Sequence, residues 1–346
     1  MDAPSSPLRL ALDGAALVAN WRALDRLSGR ATAGAAIKAD GYGLGAAAVA
    51  RRLAAAGCRD FFVATWAEAA ALAPLGLSLA VLHGVRGEDM AAALAGGPAR
   101  PVLNTPAQVA RWHEAGGGAC DVMVDTGINR LGIAAGDVAA GLLDGLAIDT
   151  LISHLACADV DSAANERQRA AFAALAGRTA ARRMSLANSA GIALGEGYAF
   201  DLTRPGLALY GGVPRGGLAD TVRAVATPMA QVLQRRRVAA GDSVGYNAAW
   251  TAPADTQVAI LNIGYADGYW RGFSDRGVAR AQGTALPVIG RVSMDLAAID
   301  VTALPGLTEG DWVALDFALP AAAAASGMSQ YELLTGLGSR FERRWI

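Results

Sequence analysis

Lys38 is the only lysine in a chain of 346 residues; the other 29 of the 30 basic residues are arginine. It stands in Ala35-Ala36-Ile37-Lys38-Ala39-Asp40-Gly41-Tyr42-Gly43-Leu44-Gly45, after an apolar run and before a glycine-rich turn. Arginine replaces lysine wherever a surface cation is enough. It cannot do so where a nucleophilic amine is needed, because guanidinium stays protonated while an ammonium is tuned by its surroundings. The chemistry that most needs such an amine is imine formation with a carbonyl compound or with pyridoxal phosphate. The competing reading is a leftover, solvated charge beside a turn, the common fate of a lysine.

Other polar residues fall just after apolar runs: Asp125-Thr126-Gly127-Ile128-Asn129-Arg130, His154, Asn188-Ser189 and Arg204-Pro205-Gly206. Each alone has a plain structural reading, His154 as a satisfied core histidine and Arg204 as a turn arginine capping a helix. Gly41-Tyr42-Gly43-Leu44-Gly45 has the spacing G-x-G-x-G, and no acidic residue is well placed about twenty positions on, so a dinucleotide fingerprint is a poor match.

The elements that must position these residues show in the hydrophobic pattern. Leu8-Arg9-Leu10-Ala11-Leu12 reads as a short strand. Asp13 then caps a helix whose apolar face is Ala16, Leu17, Trp21, Leu24 and Leu27. Up to about residue 204, apolar runs centred on Ala36, Val63, Val81, Val102, Val124, Ile152, Leu186 and Leu202 alternate with alanine-rich helical stretches. Eight such runs are the count of a (β/α)8 barrel, although a doubly wound sheet shares the local pattern. In a barrel, function gathers at the carboxyl ends of the strands. Lys38, Tyr42, Arg130, His154, Ser189 and Arg204 would then share one face, suited to an anionic phosphorylated cofactor and a small carboxylate.

After Tyr210-Gly211-Gly212-Val213-Pro214 the rhythm changes to short alternating runs: Met229–Arg236, Gln257–Ile263, Gly277–Ala281, Val288–Asp300 and Trp312–Phe317. They read as a second, mainly β domain. Ala321–Ala325 reads as a loop or helix lead-in, and Ser329 as the cap of a last helix through Leu334.

Composition narrows the field further. Hydrophobic residues make up 53% and charged residues 18%, with a net charge of −1, which argues against nucleic acid as a main partner. No apolar run approaches a membrane span, and Met1–Pro7 lacks the pattern of a secretory leader, so a cytoplasmic location is expected. Three widely spaced cysteines and three histidines suggest neither a disulfide framework nor a metal site.

The motifs resemble those of the alanine racemases over nearly the whole chain. The resemblance rests on Ala36-Ile37-Lys38-Ala39-Asp40-Gly41-Tyr42-Gly43, Val124-Asp125-Thr126-Gly127-Ile128-Asn129-Arg130-Leu131-Gly132, Ser153-His154-Leu155-Ala156 and Ala187-Asn188-Ser189-Ala190. It continues through Arg204-Pro205-Gly206-Leu207-Ala208-Leu209-Tyr210-Gly211, Val244-Gly245-Tyr246, Ile263-Gly264-Tyr265-Ala266-Asp267-Gly268 and Gly290-Arg291-Val292-Ser293-Met294-Asp295. It implies a (β/α)8 barrel over residues 10–220, and a β domain over 221–346 joined by an N-terminal strand within 1–9.

The resemblance also implies a function, interconversion of L-alanine and D-alanine that supplies D-alanine for peptidoglycan. Lys38 would carry pyridoxal phosphate, with its phosphate held by Tyr42, Ser189 and backbone N–H groups around Gly206 and Leu207. Arg204 would face the pyridine nitrogen, and His154 would lie near the ring. Arg130 and the Met294 backbone would orient cofactor and substrate oxygens. Lys38 and Tyr246 would be the two bases, Tyr246 coming from the partner in a homodimer. Tyr265 would narrow an approach lined by Asp159, Arg271 and Arg291.

Two positions depart from the family pattern. Met123 stands where many relatives have a carbamylated lysine, and Ser339 where relatives have a tyrosine. A broader-specificity racemase acting on serine as well is therefore an alternative reading. A decarboxylase of the same architecture would place a carboxylate where Arg204 stands. A pyridoxal-phosphate homeostasis protein would lack residues 221–346.

Overall fold

The computed structural model of the chain describes residues 6–346; the expectations that fall on residues 1–5 lie outside the described residues. The chain divides into two compact units, Leu17–Arg223, and Ala224–Ile346 together with the N-terminal segment up to Ala16.

In the first unit the eight apolar runs become parallel strands. Ala35–Ala36, Phe61–Val63, Leu79–Val81, Ala99–Leu103, Cys120–Asp125, Ile148–Ile152 and Arg183–Ser185 pair in sequence order. Leu202–Thr203 completes the ring. It pairs in parallel with Thr32–Ala33, Arg204 N–H donates to the Ala187 carbonyl, and Ala36 N–H donates to the Pro205 carbonyl. The (β/α)8 barrel is thus present. The last two strands have three and two residues.

The barrel interior opposite the carboxyl ends is charged. Arg100 meets Asp121 at 2.9 Å and Asp149 at 3.2 Å, and Arg183 meets Asp60 at 2.8 Å and Asp149 at 2.7 Å. All five residues stand at or just before the start of a barrel strand. Asp121 is wholly buried and also accepts the Thr150 N–H, so two arginines bind three carboxylates into one plug.

The second unit is an antiparallel sheet built on the long strand Ala226–Val238. That strand pairs with Leu8–Leu12, Thr256–Leu261 and Trp312–Leu315. Leu8–Leu12 also pairs in parallel with Glu342–Trp345, a charged C-terminal strand whose alternation is too weak to read from sequence. Asp13 accepts the Ala16 N–H at 2.8 Å and caps the helix Gly14–Leu27.

Two expectations need correction. The run Val288–Asp300 is two strands, Thr284–Ile289 and Ala297–Asp300, because Gly290 at φ 69° turns the chain where a side chain would strike the Val244 carbonyl. Ala321–Ala325 lies inside a helix, Leu319–Ser326, entered through Pro320 in its first turn. Ser329 caps Gln330–Thr335 through a reciprocal bond with Glu332.

Candidate active site

The sequence places one amine after the first barrel strand, and the chain there takes an uncommon path. Ala39, Asp40, Gly41 and Tyr42 have φ of 52°, 51°, 65° and 56°, a left-handed turn in which three of four residues carry side chains. Such residues each cost on the order of 1 kcal/mol and persist only where surroundings over-determine them. Here Gly41 N–H donates to Ile37, Gly43 N–H to Ala39 and Gly45 N–H to Asp40, at 2.8–2.9 Å. Glu68 accepts the Ala39 N–H and Asp40 the Ala46 N–H, both at 2.8 Å. The turn leaves Lys38 half-buried at the barrel's carboxyl end and folds Tyr42 back into the core. Burial, then Arg130 and Arg204, hold the Lys38 amine below the ordinary lysine range, opposed by Glu68.

Tyr42 stacks on Tyr210 with ring centroids 4.7 Å apart, and Tyr210 donates to the Ala36 carbonyl. The Tyr42 hydroxyl occupies the place a Gly206 side chain would need, 2.2 Å from an added Cβ. Only glycine therefore permits Tyr42 to reach the turn Leu207–Tyr210. Ser189, buried at the start of the short helix Ser189–Ile192, accepts the N–H groups of Gly206 at 2.9 Å and Ala208 at 3.2 Å. The Tyr42 and Ser189 hydroxyls thus converge on the backbone around Leu207, with Ser189 holding the N–H groups of Gly206 and Ala208 on either side. This donor set fits the phosphate of a cofactor.

Arg204 is buried and fixed at both ends of its guanidinium. It donates to Ser185 Oγ at 2.5 Å and to the Ser153 carbonyl at 2.7 Å, and Ser185 Oγ in turn donates to the Leu202 carbonyl. These partners are a hydroxyl and a carbonyl, with no carboxylate among them. Burial draws the Arg204 guanidinium down to about 10, which leaves it charged at neutral pH. His154 Nδ1 lies 3.4 Å from Arg204 Nη2. Burial and the cations Arg204, Arg130 and Lys38 push its imidazole down to about 3, so it stays neutral. Arg204 is thus buried among strand-end groups rather than capping a helix, and His154 is its neighbour.

Arg130 is exposed on a loop shaped by Asp125, whose Oδ1 accepts the N–H groups of Gly127, Ile128 and Asn129. Met123, by contrast, is buried in its strand. Asp159 lines a shallow cavity of about 440 Å³ with Asp161 and Arg215, apart from the cofactor candidates.

The other candidates, Tyr246, Tyr265, Arg271, Arg291 and Met294, belong to the second unit, with Arg291 and Met294 on the loop after Gly290. Tyr265 N–H donates to Ser293 and Ala266 N–H to Met294, so the turn Tyr265–Asp267 is tied to the loop after Gly290. Gly245, which opens the Tyr246–Ala248 turn at φ 81°, packs on Arg291 of the same loop. Tyr246 is 69% exposed and Met294 54%, unusual for large apolar side chains. Arg271 lies over the Tyr265 ring at 5.2 Å. Sequence reading missed Arg340, which joins buried Asp267 to Asp295 at 2.6 and 2.8 Å and clamps this loop from behind. No spacing rule marks a contact across more than seventy residues.

A parallel barrel that presents a single depressed amine, a buried arginine and phosphate-type donors at its carboxyl end defines a barrel enzyme of the lysine–carbonyl class. Comparison with known proteins narrows the class. Residues 12–214 match the family model "Alanine racemase, N-terminal domain" and residues 225–345 "Alanine racemase, C-terminal domain". The chain is 43% identical to the alanine racemase of Acidiphilium cryptum, covering 96% of this chain and 97% of that protein. It is 45% identical to that of Dinoroseobacter shibae, with 97% of each covered. A crystal structure of alanine racemase from Bartonella henselae with covalently bound pyridoxal phosphate superposes at a TM-score of 0.89. It is 33% identical, over 99% of this chain and all of that one. The chain belongs to the alanine racemase family.

Proposed function

We propose that the protein interconverts L-alanine and D-alanine with pyridoxal phosphate held on Lys38, and that Lys38 and Tyr246 exchange protons with opposite faces of the substrate's Cα. The observation that carries this reading is the surroundings of the chain's one lysine: a depressed amine at a barrel end, near a buried Arg204 held by Ser185 Oγ and the Ser153 carbonyl. Pyridoxal phosphate, when bound, supplies a carbonyl for an amine to condense with and an electron-poor ring that eases loss of the Cα proton.

The chain's own residues do the rest. Tyr42, Ser189 and the backbone at Gly206 and Leu207 hold the phosphate. Arg204 would present N–H donors that do not give up a proton at neutral pH, so a ring nitrogen placed against it would accept a hydrogen bond and stay unprotonated. That limits how far charge is drawn from Cα and disfavours side reactions. A decarboxylase reading requires a carboxylate at this position, and Arg204 argues against it. His154, neutral, keeps Arg204 oriented. Arg130, the Met294 backbone and Tyr265 position the substrate carboxylate. Lys38, freed when the substrate amine takes its place, moves a proton at one face.

Tyr246 stands on a turn with Asn247 at φ 60° and Ala248 at φ 48°, exposed to solvent in the single chain. That presentation supports a homodimer in which Tyr246 of the partner subunit serves the second face. A cytoplasmic site of action accords with this chemistry, and no helix among the described residues is long and apolar enough to cross a membrane.

Mixing Lys38→Ala and Tyr246→Phe chains tests the shared site. Each alone should be nearly inactive. After subunit exchange, up to one site per hybrid dimer regains both bases, so activity should return toward a quarter of wild type or less. No recovery, with exchange demonstrated by mass, would remove the shared site from the account.

A further inference from the structure

Glu68 belongs to no motif singled out above, yet its carboxylate reaches the segment that carries Lys38. Oε2 accepts the Ala64 N–H at 2.6 Å, and the Glu68 N–H is bonded to Thr65 Oγ1, so the residue is fixed in the first turn of the helix Trp66–Leu72. Oε1 leaves that capping arrangement and accepts the Ala39 N–H at 2.8 Å. Capping needs only one carboxylate oxygen. The second oxygen therefore spans two barrel segments and ends on the peptide that follows Lys38. That peptide opens the left-handed turn, where backbone strain demands an outside hold.

We infer that Glu68 is a positioning residue for Lys38, pinning the turn on which it stands and supplying the counter-charge for its amine. The charged groups facing the amine are otherwise cations, Arg130 and Arg204, with His154 neutral beside them. Burial and these cations all act to strip the proton from Lys38, and Glu68 is the group that acts in the opposite direction. An amine that must both release and return a proton needs its affinity held near the working pH, rather than driven far below it. The inference rests on the reading of Lys38 as the cofactor lysine.

Because Lys38 is the only lysine, reductive ¹³C-methylation of cofactor-free protein gives one lysine dimethylamine signal, with the N-terminal amine as internal reference. Glu68→Gln should lower the titration midpoint of the Lys38 signal and leave the reference unmoved. At a pH below both midpoints, acylation of unmethylated Lys38 should run several-fold faster than in wild type. Glu68→Asp keeps the charge but shortens the stem, so the reach to the Ala39 N–H is lost and the midpoint should fall by less than in Glu68→Gln. Thr65→Ala removes the acceptor of the Glu68 N–H while Glu68 Oε2 keeps the Ala64 N–H, so it should lower thermal stability and move Lys38 less than Glu68→Gln does. An unmoved midpoint in folded Glu68→Gln protein would overturn the inference. So would an unmoved midpoint in Glu68→Asp, and that arm suffices if the Gln variant does not fold. Cofactor capture is assayed separately, so a failed titration leaves the cofactor reading standing, and failed capture leaves the titration interpretable.

Discussion

Arg204 Nη2 lies 3.4 Å from His154 Nδ1, and the same guanidinium donates to the Ser153 carbonyl one residue earlier. A single buried cation thus touches two consecutive residues at the end of one barrel strand, and it is the group proposed to face the cofactor ring. Arg204→Glu reverses the charge at this point. A carboxylate there favours a protonated ring nitrogen and a stronger electron sink. Racemisation should fall by orders of magnitude while transamination rises relative to it, and a longer-wavelength absorbance should appear with substrate. These are read by chiral product analysis, pyruvate release and the visible spectrum of protein shown to bind cofactor. Loss of activity with neither change would reduce Arg204 to a structural role.

His154 is held neutral by burial and three cations, with its folded-state pKa near 3 against about 6.5 for a free imidazole. The unfolded chain therefore takes up this proton first as pH falls. Its effect on stability is absent above about pH 6.5, grows as pH drops from there, and saturates below about 3. Melting temperature against pH should fall less steeply between pH 6.5 and 4 in His154→Gln than in wild type. Equal slopes would mean that the imidazole is protonated in the folded state.

The charged plug at the other end of the barrel makes a contrasting prediction. Arg100→Ala strips Asp121 of its closest cation inside the barrel, and breaking a buried pair costs about 3–5 kcal/mol. Stability to urea should drop by that order, while kcat and KM of the surviving folded protein change little, because the proposed site lies at the carboxyl ends of the strands. A large kcat defect without loss of stability would contradict this division.

These contrasts explain what the sequence could tell. Barrel strands were legible because buried parallel strands are continuous apolar runs, and the candidate residues stood out because they directly follow those runs. Lys38 announced itself through composition. The plug was not legible, since Asp60, Arg100, Asp121, Asp149 and Arg183 open separate strands and look like ordinary strand-edge charges. Glu68 resembled half of a capping box and nothing more. Arg340 and Asp267 lie too far apart in sequence for any local pattern to join them. The break at Gly290 was hidden because the apolar residues on either side continue the same alternation, and only the left-handed backbone there shows the turn.

The central claim is that this chain inverts Cα of alanine through Lys38. Purified protein with pyridoxal phosphate should be incubated with L-alanine in deuterium oxide and its products resolved by chiral chromatography and mass. The account predicts D-alanine carrying deuterium at Cα, approach to equal amounts of the two enantiomers, and loss of both in Lys38→Ala. Recovery of undeuterated L-alanine from cofactor-loaded wild type, or its conversion to ethylamine and carbon dioxide, would contradict it.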